Sequence, residues 1–132
     1  MSAPYEFEMD LRWSDQDLQG HVNNAKIVAL AEEARIRFHA HLHRVPTGPT
    51  SLVVARQEID YHAQTKYGPS LTMQVGVRRI GTKSFTLRHR GIQDGAPVFT
   101  VDAIMVNVDG TGQSRALTAE ERAQLDEWNW AD

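Results

Sequence analysis

Residues 15–24, "DQDLQGHVNN", bring two carboxylates, one imidazole, a glycine and two asparagines into ten consecutive positions. A carboxylate such as Asp17 can attack an activated carbonyl or take a proton from water. The free N–H groups at a helix start carry partial positive charge and can hold an oxygen anion as it develops. With a helix beginning near Asn24, Asp17 stands opposite such donors, seven residues upstream. The same residues have a plain structural use, because Asp and Asn cap helices and a glycine such as Gly20 closes tight turns. Asn23 is the best-placed cap, which leaves Asp15, Asp17 and His21 without that role. Capping and catalysis both stay open on these residues alone.

Other chemistry-bearing residues are less well arranged. His39, His41 and His43 lie in "HAHLH". His39 and His43 are four apart, a spacing that zinc ligands use on a helix, but no Glu-flanked metalloprotease pattern surrounds them. A solvated helix end that complements the helix dipole is the expected arrangement, with no metal site. Glu32 and Glu33 are spaced to pair with Arg35 and Arg37 on a helix surface, and a helix carboxylate facing a cleft would be a reserve base. Ser84 follows a turn without His and Asp partners nearby, as expected of a residue bonding backbone. The absence of a glycine-rich phosphate loop argues against nucleotide hydrolysis or a Rossmann cofactor site, so no cofactor is expected. The chain has no cysteine, which removes disulfides, thiolate metal sites and cysteine nucleophiles.

The elements that position these residues follow from periodicity. "YEFEMDLRW" (5–13) alternates, with Tyr5, Phe7, Met9, Leu11 and Trp13 on one face, as in a half-buried antiparallel strand. Ile27, Leu30, Ala31, Ala34, Phe38 and Leu42 form one apolar stripe of a helix running from about Asn24 to His43, before Pro46 and Gly48. Ala29, Ala31 and Ala34 keep it slim enough to lie close to a sheet. "VARQEIDY" alternates through Ala55, Ile59 and Tyr61, and "LTMQVGVR" through Leu71, Met73, Val75 and Val77. Gly81-Thr82 suits a two-residue hairpin into "SFTLRHR", and Asp94-Gly95 a second one into "VFTVDAIMVNV", which is apolar on both faces. "TAEE" at 118–121 is a capping box opening a short helix that extends over Trp128 and Trp130. One helix followed by four strands makes an α+β class with a five-stranded antiparallel sheet in a single domain spanning 1–132. The sheet exceeds what one helix covers, so a second copy of the chain is expected to bury its remainder or its edge.

Composition narrows the function further. No apolar run reaches the length of a membrane span, and "MSAPYEFEMD" lacks a signal pattern, so a cytoplasmic protein is expected. Net charge is −3, yet residues 61–93 contain no acid and carry Lys66, Arg78, Arg79, Lys83, Arg88 and Arg90. That block is +6 and leaves −9 elsewhere. It is either a set of solubilising strand faces or a local anion site for a phosphorylated ligand. No nucleic-acid motif accompanies it, and no nucleic-acid partner is expected.

"LRWSDQDLQGHVNNAKIVALAEEAR" resembles the opening of hotdog-fold acyl-CoA thioesterases of the 4-hydroxybenzoyl-CoA thioesterase type. There an aromatic ends a strand, D-x-D follows, then G-H-V-N-N or its equivalent, then the central helix. The matching residues are Trp13, Asp15, Asp17, Gly20 to Asn24, and Glu33, Ala34 and Arg35 within the helix. "IDYHAQTKYGPSLTMQVGVRRIGTKSF" adds supporting similarity along the later strands. The resemblance implies a sheet wrapped around one long helix, dimers joined edge to edge and often paired into tetramers, and hydrolysis of an acyl-CoA to acid and CoA. It puts the catalytic carboxylate on Asp17 as nucleophile or general base, and the carbonyl-polarising N–H at Asn24, with His21 and Asn23 orienting Asp17 or water. It turns the loop's two readings in favour of an active site. Ile27, Lys83, Ser84 and the arginines Arg78, Arg88 and Arg90, which share a strand face, become candidate substrate contacts, the basic ones for the CoA phosphates. Two departures stand out. Ile27 takes a position where many relatives have an aromatic, which leans toward aliphatic acyl groups, and Gln64 stands where many have proline. A hotdog dehydratase and a non-catalytic acyl-CoA binding domain are the alternatives.

Overall fold

A computed structural model describes residues 3–42 and 51–131. In chain order the elements are β1 (Tyr5–Met9), a 3-10 turn (Trp13–Asp15), α1 (Asn24–His41), β2 (Ser51–Tyr61), β3 (Leu71–Ile80), β4 (Ser84–Gln93), β5 (Ala96–Val108) and α2 (Ala119–Asp126). The strands form one antiparallel sheet in the order β1-β3-β4-β5-β2. Helix α1 leaves the β1 edge, crosses β3 and β4, and delivers the chain to β2 at the far edge. This is the hotdog arrangement.

Packing follows the apolar stripe. Ile27, Leu30, Ala31, Ala34, Phe38 and Leu42 are all buried against Met73, Val75, Phe85, Leu87 and Phe99 of the sheet. Ala31 and Ala34 let the helix approach closely, whereas Ala29 faces solvent. Phe38 is fully buried at the centre, and truncating it to alanine should cost about 3–5 kcal/mol.

Several boundaries differ from the sequence pattern. β1 stops at Met9, and Trp13 lies in the 3-10 turn with its indole 74% exposed. There the Asp15 carboxylate accepts from the Arg12 N–H at 2.9 Å, a local bond that draws the chain out of the sheet. α1 ends at His41, and His43 lies outside the described residues. A bulge between Val54 and Arg56 leaves Ala55 unpaired, so Leu52, Val54, Gln57, Ile59 and Tyr61 lie opposite core-facing residues of β5. The β3–β4 loop has three residues, 81–83, rather than two. Asp94 and Gly95 have φ of 51° and 75°, the left-handed pair that a two-residue hairpin turn requires.

α2 ends at Asp126, so Trp128 and Trp130 lie beyond it. The tail runs instead along the open stretch of β3, where Val77 N–H donates to Trp128 O at 2.9 Å and Trp130 N–H donates to Val77 O at 2.8 Å. Trp128 then meets Phe38 and Tyr5 beside the helix, and Trp130 lies on the other side of the sheet over Gly76. A Cβ at Gly76 would come within 2.6 Å of the Trp130 Cβ, so this seat requires glycine.

Candidate active site

The Asp17 loop is built largely from its own backbone. Asp17 N–H donates to His21 O at 2.8 Å, and Gly20 N–H donates to Asp17 O at 3.1 Å, with Gly20 at φ +80°. The Asp17 carboxylate oxygen Oδ1 accepts from Gln19 N–H at 2.9 Å and from His21 N–H at 3.4 Å. No donor among the described residues reaches Oδ2. One oxygen thus orients the group while the other retains its lone pairs, and the side chain is exposed.

The helix start is docked on two carbonyls. Asn23 N–H donates to Asp15 O at 2.9 Å, and Val22 N–H donates to Thr65 O at 2.8 Å. Asn23 caps α1 through its side chain, accepting from Ala25 N–H at 2.8 Å. The Asn24 N–H has no acceptor among the described residues. It is a first-turn donor that the cap leaves available, at the positive end of the helix dipole.

Asp17, His21 and Asn24 converge on one cleft of about 350 Å³, together with Gln19, Val22, Ile27, Tyr61, Ala63, Gln64 and Thr65. The Tyr61 hydroxyl lies 3.4 Å from Asn24 O, so the end of β2 closes against the helix start. A carboxylate and an unsatisfied helix N–H facing one cleft can activate water or attack, and hold the resulting oxyanion.

Other residues singled out by sequence fall elsewhere. Asp15 is structural, through Arg12 N–H and Asn23 N–H. Asn23 spends its side chain on the cap, and Asp17 meets the His21 backbone N–H rather than either carboxamide. Lys83 and Ser84 lie at the opposite end of the sheet: Ser84 pairs with Val106 and so with Val53, eight residues from Tyr61 along β2, roughly 26 Å. Arg88 and Arg90 project from the face away from α1, while a β3 bulge gives the outward position opposite Thr86 to Arg79 instead of Arg78. Arg88 makes two bonds to Asp102 at 2.8 and 2.7 Å, Arg90 lies 4.8 Å from the Trp130 ring, and Arg78 donates to Trp130 O at 2.6 Å. These guanidiniums are therefore already engaged by the chain itself.

The helix histidines correct a second expectation. His41 is exposed and stacks on Tyr5 at 4.5 Å, but His39 is buried. Glu33 pairs with Arg37 at 2.6 Å on the surface, whereas Arg35, 4.0 Å from Glu32, is buried, and burial lowers its pKa against the opposing pull of Glu32. His89 completes this interior group. Its Nδ1–H donates to Val101 O at 2.8 Å, and burial, reinforced by Arg35 and His39, holds its pKa down at about 3. The signal for His89 was available, since it follows Phe85 and Leu87 on the alternating inward face of β4. Tyr61 and Thr65 gave no comparable signal, because the cleft walls come from distant strands.

The profile of the Thioesterase-like superfamily matches residues 11–128. The chain belongs to that superfamily. A Bacillus subtilis protein, the uncharacterised YsmA, is 32% identical over 121 residues, covering 89% of this chain and 82% of that one. A 1,4-dihydroxy-2-naphthoyl-CoA hydrolase of Synechococcus elongatus is 24% identical over 132 residues, covering 96% and 95%. A Thermus thermophilus thioesterase solved with coenzyme A and zinc superposes with a TM-score of 0.84 at 28% identity, covering 94% of this chain and 93% of that one. The thioesterase-like chain is a thioester hydrolase with the hotdog fold. No helix among its described residues is long and apolar enough to cross a membrane.

Proposed function

We propose that the protein hydrolyses an acyl-CoA thioester, with Asp17 as the reacting carboxylate and the Asn24 N–H polarising the carbonyl. The observation that carries this reading is the meeting of a carboxylate with one unengaged oxygen and a helix N–H with no acceptor in the same cleft. Carbonyl oxygen placed on Asn24 N–H gains partial positive charge opposite it as the tetrahedral intermediate forms. Asp17 then either attacks to form an anhydride, releasing the CoA thiolate, and water cleaves the anhydride to the acid and free Asp17; or it takes a proton from an attacking water, and the tetrahedral intermediate collapses with release of the CoA thiolate. Asn23 supports the reaction indirectly by holding the helix start, and His21 through its backbone contacts with Asp17. Coenzyme A as the thiol is supported by the Synechococcus and Thermus relatives.

The acyl side of the cleft favours aliphatic groups in this reading, since Ile27, Val22 and Ala63 line it. The name of the Synechococcus relative specifies an aromatic acyl group, so a substrate panel decides the matter.

The reading also includes a homodimer. β2 is a sheet edge of eleven residues exposing Val53, Val54 and Tyr61, while the other edge is a five-residue strand continued by the tail. A long unpaired edge is a template for pairing, and antiparallel pairing of two β2 strands would bring Lys83 and Ser84 of one copy toward the cleft of the other. Lys83 would then meet CoA phosphate, a role that Arg78, Arg88 and Arg90 fit less well because of their partners.

The test is thiol release from short, long and aromatic acyl-CoAs by wild type and Asp17→Asn, with the mass of the assembly measured in parallel. Hydrolysis by wild type and its loss in the variant support the reading. Equal activity in both removes Asp17 from the chemistry and turns attention to Glu32 or Glu33. Absence of hydrolysis by wild type across the panel sinks the acyl-CoA assignment.

A further inference from the structure

The segment between β2 and β3 forms one wall of the cleft, and its position rests on a residue outside the cleft. Gln93, at the end of β4, is only 6% exposed. Its Oε1 accepts from Lys66 N–H at 3.0 Å, and its Nε2 donates to Lys66 O at 2.8 Å and to Pro69 O at 3.1 Å. One side chain thus satisfies three backbone groups of a loop that has no ladder of its own. The start of the same segment is tied by His62 N–H and Ala63 N–H, both donating to Val98 O, at 2.9 and 3.1 Å.

Thr65, next to Lys66, is buried and passes this order on. Its carbonyl accepts from Val22 N–H at 2.8 Å, two residues before Asn24. Val22 is itself buried, so this bond ties the entry to α1 to the position of Thr65. We infer that Gln93 is a positioning residue for hydrolysis, which sets the Asn24 N–H against the thioester carbonyl through Lys66, Thr65 and Val22. The inference rests on the catalytic reading above.

A hydrogen bond to a developing oxyanion is sensitive to displacements of a fraction of an ångström, whereas substrate affinity is spread over the whole ligand. Loosening the clamp should therefore lower kcat more than it raises KM. Gln93→Met removes all three bonds at nearly constant side-chain volume. Gln93→Glu keeps the acceptor for Lys66 N–H but turns a carboxylate oxygen toward two carbonyls.

The experiment compares kcat, KM and the exchange rate of the Val22 amide by NMR for wild type and both variants, well below their melting temperatures. The expected result is a kcat lower by about tenfold with KM within about twofold, and faster Val22 exchange in both variants. Unchanged kcat and Val22 exchange in a folded variant would overturn the inference, as would kcat loss without faster Val22 exchange. Should Gln93→Met not fold, Gln93→Glu alone decides by the same criteria. Should neither fold, Gln93 holds the fold as a whole and the specific role is overturned. Inactive wild type, by contrast, would count against the catalytic reading, and Val22 exchange would still report on the clamp.

Discussion

Two groups of polar residues lie along helix α1, one at its entry and one beneath it, and they are built in opposite ways. At its N-terminus Asp17, His21 and Asn24 face an open cleft, with one carboxylate oxygen and one backbone N–H left unengaged. Further along, Arg35 and His39 are buried near enough to His89 to act on its charge, and burial lowers the pKa of both Arg35 and His89. Perturbed titration is often taken to mark a reactive site. Here the strongly perturbed histidine belongs to the core, where burial keeps it neutral although its bond to Val101 O favours the charged form. In the proposed reading the N-terminal end works through geometry and access, with groups that stay solvated until substrate displaces the water.

Substitutions can break or sharpen that contrast. The largest effect is expected for Asp17→Asn, which should lower kcat by roughly a hundredfold or more while leaving KM and Tm nearly unchanged, as measured by thiol release and thermal melting. A large fall in Tm would show Asp17 to be a fold residue and erase the distinction between the two ends.

The interior group should show the converse, stability without chemistry. His89 is neutral in the fold with a pKa of about 3, while in the unfolded chain it takes up a proton below its ordinary value of 6.5. Its contribution is therefore complete above pH 6.5 and is lost as pH falls from there toward 3, amounting to roughly 2 kcal/mol at pH 5. His89→Leu should flatten this part of the stability–pH curve in denaturant titrations at pH 5 and 7. An equally steep curve in the variant would assign the acid sensitivity to other groups.

Asn23→Ala sits between the two. Losing the cap should cost about 1 kcal/mol and lower Tm by about 3–5 °C. Because the Asn24 N–H loosens with the helix start, kcat should also fall, though far less than in Asp17→Asn. The smallest effect is expected for Glu33→Gln. Its ion pair with Arg37 is solvated, so stability should change by no more than about 0.5 kcal/mol and thiol release should be unaffected.

Much of this architecture is legible in the sequence. The helix stripe from Ile27 to Leu42 is buried at every position read, because spacings of three and four leave an amphipathic helix one way to face a sheet. The hairpin at Asp94-Gly95 was readable for an equally local reason, the left-handed conformation its turn demands. Other features were hidden because their causes lie elsewhere in the chain. Trp13 leaves the apparent strand after Asp15 bonds back to Arg12, the bulge at Ala55 shifts β2 relative to β5, and Arg78 loses its place on the outer face to a β3 bulge.

The sequence by itself determined the class of the fold, the helix and its buried stripe, and the loop from Asp15 to Asn24 as the place to look for chemistry. These depend on periodicity and on short-range backbone chemistry, which neighbouring residues set among themselves. Tertiary structure alone decided that Tyr61, Ala63 and Thr65 wall the cleft, that Gln93 braces that wall, and that Lys83 lies at the far end of the sheet. It also decided that Arg78, Arg88 and Arg90 are engaged and His39 is buried. Each of those outcomes follows from strand order and register, which pair residues dozens of positions apart and leave no mark on local spacing.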